Sequence, residues 1–331
     1  MGLLDGKVAV VTGAGRGIGR AEALLLASEG AAVVVNDVGG SSGGEGSDTR
    51  PAQQVVDEIT AAGGRAAANY DNCATWSGGQ GLIRQAIDVF DRLDILINNA
   101  GILRDRMSFT MEEAEWDAVI EVHLKGHFCP LRHANAYWRE QSKTSGQPVN
   151  AKVVNTSSES GLYGNAGQLN YAAAKAGIAA MTLVAAREME RFGVRVNAIA
   201  PVARTRLTES VAGAGDLFQK KEEDAFDRYA PEHVAAVVGW LASDLSAGVS
   251  GQVIKVQGGV AQLLQGWRPA DAGHRRQTLD HQRNRCRQGH PVRQVVTRRA
   301  TLLLRLSGIA NATGVGSGRG PLSGGVDTLP G

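Results

Sequence analysis

Residues 7–19 read KVAVVTGAGRGIG, and the two halves of this stretch differ in kind. Lys7–Thr12 is a short, apolar, β-branched run of the sort buried on both faces in a parallel sheet. Thr12-Gly13-Ala14-Gly15-Arg16-Gly17-Ile18-Gly19 is a glycine turn, and a helical pattern then continues through Glu29. Glycines between a strand and a helix let the backbone approach a pyrophosphate, and the helix N-terminus offers it free N–H groups and a positive dipole end. A tight strand–helix connection without a ligand is the plainer reading of such glycines. The next strand, Ala32–Asp37, weighs against it, because it ends on a carboxylate 18 positions after Gly19. Asp37 there accepts hydrogen bonds from adenosine ribose hydroxyls and repels a 2′-phosphate, so the expected cofactor is NAD. Arg16 argues the other way, since an arginine in the glycine turn suits a 2′-phosphate. The fixed carboxylate is expected to prevail, because its approach to a phosphate is costly.

The alternation continues outward from this unit. A Gly/Ser stretch at residues 39–47 reads as a flexible surface loop. Helical patterns at 51–62, 78–91, 112–142, 168–191 and 231–243 separate strands at 65–69, 93–97, 152–156, 194–199 and 252–256. Seven strands alternating with helices predict an α/β fold: one domain built on a doubly wound parallel sheet with helices on both faces.

The 331 residues are 43% hydrophobic and 21% charged, enough for one large core. The net charge of +2 hides two regions: residues 1–267 carry 24 Lys+Arg against 30 Asp+Glu, and residues 268–331 carry eleven Arg, no Lys and three Asp. All 16 aromatic residues lie at or before Trp267. The expected division is a catalytic domain over 1–267 and an Arg/Gly-rich tail over 268–331 that buries too little to order itself. Two other readings of the tail are an arginine-rich nucleic-acid contact and a stretch read from a shifted frame. The first is disfavoured because no stacking aromatic is interleaved with the arginines. Cys73, Cys129 and Cys286 lie far apart with no CxxC spacing, which speaks against a disulfide scaffold or a zinc site, and no metal is expected. No apolar run approaches the ~20 residues of a membrane span, and the N-terminus lacks the order of a signal peptide. A soluble, cytoplasmic protein without a membrane partner is expected.

Two further elements stand at strand ends. Asn98-Asn99-Ala100-Gly101 ends the fourth strand, and Asn155-Thr156-Ser157-Ser158 ends the fifth. Tyr171 and Lys175 follow, four apart on one helix face. A tyrosine has an unperturbed pKa near ~10 and is a poor base at neutral pH, and a nearby ammonium favours its ionised form. Such a pair suits removal of a hydroxyl proton as hydride leaves the same carbon.

The TGxxxGxG turn, NNAG, a serine 13 positions before a tyrosine, and YxxxK together resemble the short-chain dehydrogenase/reductase family across roughly residues 5–260. The resemblance implies a Rossmann fold and NAD-linked oxidation of a small-molecule alcohol. It implies Ser158, Tyr171 and Lys175 as catalytic residues, with Lys175 also on the nicotinamide ribose. It places Gly13, Arg16, Gly17, Ile18, Gly19, Asp37, Asn98, Ala100, Gly101 and Pro201 at the cofactor, and Asp71 at the adenine. Pro231-Glu232 and Gly258-Gly259 resemble the family's closing elements. A homodimer or homotetramer through the fourth and fifth helices is also implied.

Two departures matter. The family's relay asparagine is replaced by His123, which holds a water and titrates near neutrality on one reading and merely packs at a helix bend on the other. Pro201-Val202 stands where Pro-Gly is common, so Thr205 is the expected carboxamide contact while Arg206 occupies the usual threonine position. The histidine, Asn36-Asp37 followed by Gly/Ser, Gly101–Arg106 and Gly161–Asn165 resemble the 3-hydroxyacyl-CoA dehydrogenase part of the peroxisomal type 2 multifunctional enzyme and related bacterial hydroxysteroid dehydrogenases. Substrate specificity is expected in segment 202–230. The alternatives are an NADPH-dependent 3-oxoacyl carrier-protein reductase, which would share the catalytic residues, and a non-catalytic dinucleotide-binding protein, which would be expected to lack Tyr171 or Lys175.

Overall fold

A computed structural model of the chain describes residues 2–209 and 226–266. The expected tail, 268–331, and much of the expected specificity segment lie outside those residues. In chain order the described elements are β1 (Val8–Thr12), α1 (Gly17–Ser28), β2 (Ala32–Asn36), α2 (Arg50–Ala61), β3 (Arg65–Asn69), α3 (Trp76–Phe90) and β4 (Ile95–Asn98). There follow α4 (Glu113–Val119), α5 (Gly126–Ser145), β5 (Ala151–Thr156), α6 (Ser160–Tyr163), α7 (Leu169–Met189), β6 (Val194–Val202), α8 (Arg206–Glu209), α9 (Glu232–Ala242), β7 (Val253–Gln257) and β8 (Val260–Leu264).

One sheet runs in the order β3-β2-β1-β4-β5-β6-β7-β8. Its first seven strands are parallel, and the chain reverses direction across the sheet between β3 and β4, which opens a crevice at the C-terminal ends of β1 and β4. The eighth strand corrects the expected count. Gly258 takes φ +55 beyond β7, and β8 folds back antiparallel along it, pairing Lys255 with Gln262. β8 is apolar but for Gln262, yet it lies at the sheet edge with Val260 and Leu263 exposed, directly after β7 in the chain.

Alternate β1 residues enter opposite layers. Ala9 and Val11 join a core with Leu26, Val55 and Val238 from α1, α2 and α9. Val8 and Val10 join the other with Leu82, Leu131 and Ala185 from α3, α5 and α7. Both faces of the strand are therefore buried, which is why its sequence runs apolar without alternation.

The helix expected over 112–142 is interrupted. Between α4 and α5 the chain makes a π-helical turn at Ile120–Lys125, and this turn carries His123. Single π turns widen a helix locally and re-aim a side chain. α7 is long and apolar enough by composition to cross a membrane, with a mean hydropathy of 1.3 over its most apolar window. It packs against β6 and the π turn, where a Cβ on Gly177 would meet Leu124 at 2.9 Å.

Candidate active site

The glycine turn is built to keep side chains out. Gly13 has φ +62, and a Cβ there would lie 2.8 Å from the Ala100 backbone; one on Gly19 would lie 2.3 Å from the Gly13 carbonyl oxygen. Asn99 clamps the turn to the end of β4, its amide donating to the carbonyls of Thr12 (3.1 Å) and Gly13 (3.2 Å). Arg16 sits at the N-cap of α1 in an extended conformation. No side chain caps the helix, and no acidic residue lies in its first turn. The N–H groups there are open to an anion.

Asp37, just past β2, is held by two backbone donors, Gly15 N–H at 2.8 Å and Gly39 N–H at 2.6 Å. Its carboxylate is thereby fixed against the glycine turn. The loop beyond it corrects the expectation of a flexible stretch. Asp48 N–H donates to the Val38 carbonyl, Leu103 N–H to the Ser42 carbonyl, and Arg104 Nε to the Gly43 carbonyl at 2.9 Å. Arg206 reaches across from α8 to the Gly40 carbonyl at 3.2 Å. The glycines supplied freedom for a compact turn, and partners far away in sequence removed it.

These elements enclose a cavity of about 440 Å³ lined by Gly13, Arg16, Gly17, Ile18, Asp37, Ala100, Gly101, His123, Tyr171, Lys175, Pro201 and Thr205 among others. Of the expected cofactor residues, Gly19, Asn98 and Asp71 lie outside that lining. Gly19 packs beneath the turn. Asn98 is fully buried and donates to Asn155 Oδ1 at 2.9 Å, tying β4 to β5. Asp71 is exposed and accepts from Asn69 Nδ2 at 3.0 Å, while its neighbours Asn72 and Cys73 line the cavity. Asn99 was not singled out by sequence. Two adjacent asparagines at a strand end point opposite ways, and nothing in their order says which one faces the crevice.

Three serines follow β5 and part company. Ser157 is buried and bonds the Lys175 carbonyl at 2.9 Å; Ser160 bonds Gln168 Oε1 at 2.8 Å. Ser158 lies outside the cavity lining and accepts from Ser160 N–H at 3.2 Å, and its hydroxyl favours the ionised form of Tyr171. Lys175 is 2% exposed, and its Nζ donates to the Thr156 carbonyl at 2.6 Å and lies 5.4 Å from the Tyr171 ring centroid. Burial with no carboxylate beside it brings its pKa down to about 7. Tyr171 is pushed up to about 12, chiefly by burial and slightly by the charge of Asp105, against the opposing hydrogen bond from Ser158.

His123 is 1% exposed, its ring edge-on to Tyr171 with centroids 5.0 Å apart. Its Nε2 lies 2.7 Å from the Ile102 carbonyl oxygen and 3.1 Å from the Ile102 N–H that donates to it, so these two contacts ask for opposite tautomers. Nδ1 is buried without a partner among the described residues. Burial and the Lys175 charge hold the ring well below its ordinary pKa, so the expectation that it titrates near neutrality is corrected: this imidazole is neutral. Thr205 lines the cavity against Gly17, with its hydroxyl beside that of Thr208.

A glycine cradle under a helix N-terminus, a fixed carboxylate at the next strand end, and Tyr171 and Lys175 lining the same cavity define an α/β dinucleotide-dependent oxidoreductase. The family profile "short chain dehydrogenase" matches residues 7–214, and the chain belongs to that family. Its members bind a nicotinamide dinucleotide. The chain is 51% identical over 266 residues to the hydroxyacyl-CoA dehydrogenase ChsB1 of Mycobacterium tuberculosis (strain ATCC 25618 / H37Rv), covering 79% of this chain and 80% of that one. It is 41% identical over 263 residues to the peroxisomal multifunctional enzyme type 2 of Mus musculus, covering 80% of this chain and 32% of that longer protein. A crystal structure of a short chain dehydrogenase from Mycobacterium avium superposes with a TM-score of 0.74 at 49% identity, over 85% of this chain and 93% of that one.

Proposed function

We propose that this chain oxidises a secondary alcohol with NAD, the substrate being of the 3-hydroxyacyl-CoA or hydroxysteroid type, with Tyr171 as general base and, in reverse, general acid. The observation that carries the reading is that Tyr171 and Lys175 line the same cavity as the glycine turn and Asp37. The turn and the α1 N-terminus hold the pyrophosphate, and Asp37 the adenosine ribose. The 51% identical hydroxyacyl-CoA dehydrogenase supports the acyl-CoA class.

When bound, the oxidised dinucleotide accepts hydride and brings a positively charged ring. Ser158 hydrogen-bonds the substrate oxygen and holds it toward Tyr171. Tyr171 takes the hydroxyl proton, and Lys175, anchored on the Thr156 carbonyl, supplies the cation that stabilises the resulting charge. His123, neutral and with Nδ1 unpartnered among the described residues, holds a water of the relay that returns the proton to solvent.

One observation favours the second reading, an NADPH-dependent 3-oxoacyl carrier-protein reductase. Arg16 and Arg206 both line the cavity that Asp37 lines, and the charges of Arg16 and Asp37 both bear on Arg206. A relative named 3-oxoacyl-[acyl-carrier-protein] reductase FabG, from Thermotoga maritima (strain ATCC 43589 / DSM 3109 / JCM 10099 / NBRC 100826 / MSB8), is 38% identical over 264 residues. We favour NAD because Asp37 is fixed by two backbone donors and cannot swing away without losing both. For assembly, a homodimer or homotetramer through α4 and α5 is supported by the exposed Trp116 and Phe128 on them.

The test is reduced-nicotinamide absorbance with NAD or NADP, offered a 3-hydroxyacyl-CoA and a 17β-hydroxysteroid, beside Tyr171→Phe. Turnover with NAD that drops by at least about a hundredfold in the variant is expected, the usual span for a lost acid–base group. Preference for NADP would replace the reading with the reductase, and near-normal kcat in the variant would remove Tyr171 from the chemistry.

A further inference from the structure

Strand β7 reads Val253-Ile254-Lys255-Val256-Gln257, an apolar strand with a cation at its centre. It lies between β6 and β8, where a lysine is out of place unless it has a partner. Lys255 Nζ forms an ion pair with Glu159 Oε1, and the two side chains are only 22% and 32% exposed. Glu159 stands directly after Ser158 and opens α6. The pair therefore joins the strand next to the sheet edge to the segment that carries the serine.

An apolar contact, independent of the charges, joins the same two places. Side chains on a strand alternate between faces, and directly opposed residues of neighbouring strands share one. Val253 and Lys255 thus lie on one face of the hairpin together with their β8 partners Leu264 and Gln262. Leu162 from α6 and Leu264 from β8 pack against one small cluster formed by Ala179, Ala198 and Val253. On its other side α6 is stopped by α7: a Cβ on Gly161 would lie 2.6 Å from the Ala176 nitrogen and 2.8 Å from the Lys175 carbonyl carbon.

The backbone passes this restraint to the serine. The Glu159 carbonyl accepts from Leu162 N–H at 2.9 Å and Tyr163 N–H at 2.8 Å, and the Ser158 carbonyl from Gly161 N–H at 3.2 Å. Ser157, on the other side of Ser158, is fixed by its N–H to the Ile199 carbonyl at 2.7 Å. Ser158 is thus the joint between a rigid strand end and a four-residue helix. A helix that short does not hold its own place, so its position is set by what it touches.

We propose that the β7–β8 hairpin is the outer brace of the active-site serine, with Lys255 a positioning residue that acts through Glu159 to hold the Ser158 segment against α7. The inference rests on the reading of Ser158 as catalytic. Lys255 acts through Glu159, and Glu159 through the backbone it shares with Ser158. β8 has a part in this, because it pairs with β7 from Val253 to Gln257 and stiffens the strand that carries the lysine. A partly exposed ion pair adds little to stability, so its loss is read in aim rather than in melting.

The experiment compares Lys255→Glu, Glu159→Lys and the chain carrying both. Its readouts are amide hydrogen exchange of the peptide spanning residues 158–164 and steady-state kinetics with NAD and a 3-hydroxyacyl-CoA. Each single variant is expected to exchange faster in that peptide and to lose about tenfold in kcat, within the span a displaced group costs. KM for NAD and the melting temperature stay close to wild type, and the double variant restores both the exchange and most of kcat. Single variants that melt lower but keep kcat would reduce the pair to a structural role and overturn the proposal. So would unchanged exchange and kcat in both, or a double variant no better than the singles. If Lys255→Glu does not fold, Lys255→Met, which keeps an aliphatic stem and drops the charge, decides by the same exchange measurement. Ser158→Ala beside them separates the two readings. Near-normal kcat there would defeat the catalytic reading of the serine, and the exchange of residues 158–164 would still decide whether the hairpin braces them.

Discussion

Glu22, on α1, is fully buried, and both carboxyl oxygens lack a hydrogen-bond partner among the described residues. Burial pushes its pKa up from 4.5 to about 8. The folded chain therefore holds a proton on Glu22 between those values that the unfolded chain releases. Folding binds protons in this window, so stability falls as pH rises from about 4.5 towards 8 and levels off above it, with a slope from this group of at most about 1.4 kcal/mol per pH unit. His123 and His127 act in the opposite sense, because burial holds both imidazoles neutral and protonating them at acid pH opposes the fold. Comparing wild type with Glu22→Gln isolates the glutamate. The variant is expected to match wild type near pH 5 and to melt higher at pH 8, read by thermal unfolding across that range. Equal melting temperatures at both ends would mean that the carboxylate finds a partner.

The loop from Val38 to Asp48 is the element whose character changed most between sequence and structure. Leu103, Arg104 and Arg206 bind it by the carbonyls of Ser42, Gly43 and Gly40, and Val38, Gly40, Ser41, Gly44 and Gly46 form one side of the cavity. Arg104→Ala removes a charged donor to the Gly43 carbonyl, a bond of about 1.5–3 kcal/mol at most. KM for the dinucleotide is expected to rise several-fold while kcat at saturation holds, because Arg104 faces the loop and not the reacting carbon. A steady-state titration of the cofactor checks this, and an unchanged KM would show the loop holding its shape without the arginine. Local signals were legible where one element carries its own cause. Strand β1, the glycine turn and the Tyr171–Lys175 spacing each follow from residues within a few positions of one another. The π turn, the antiparallel β8, the pinned loop and the Lys255–Glu159 pair were hidden because each depends on partners brought near by the fold. Between Glu159 and Lys255 the chain passes through α6, α7, β6, α8 and α9. A lysine inside an apolar strand and a glutamate between two serines gave no sequence pattern of their own.

At the scale of the whole molecule, the described residues 2–209 and 226–266 contain all eight strands of the sheet and both main apolar cores. The cores pack residues from β1 through β7 and from α1 through α9, so the long-range contacts that fix the crevice are made before residue 267. The charge of the chain divides at the same place: residues 1–267 carry 24 Lys+Arg and 30 Asp+Glu, and the eleven arginines beyond turn the total to +2. If the catalytic fold is complete in the first part, a chain ended after Trp267 keeps its melting temperature and kcat. It also becomes acidic near neutral pH and ceases to bind heparin. Retention of the full chain on heparin should then fall steeply with salt, as counterion release at several arginines requires. Thermal melts, turnover and salt-gradient elution of the two chains side by side make the test. A lower melting temperature in the shorter chain would show that residues 268–331 pack on the domain. Unchanged stability with lost turnover would place part of them at the site, and heparin retention surviving the truncation would move the basic surface onto the catalytic fold itself.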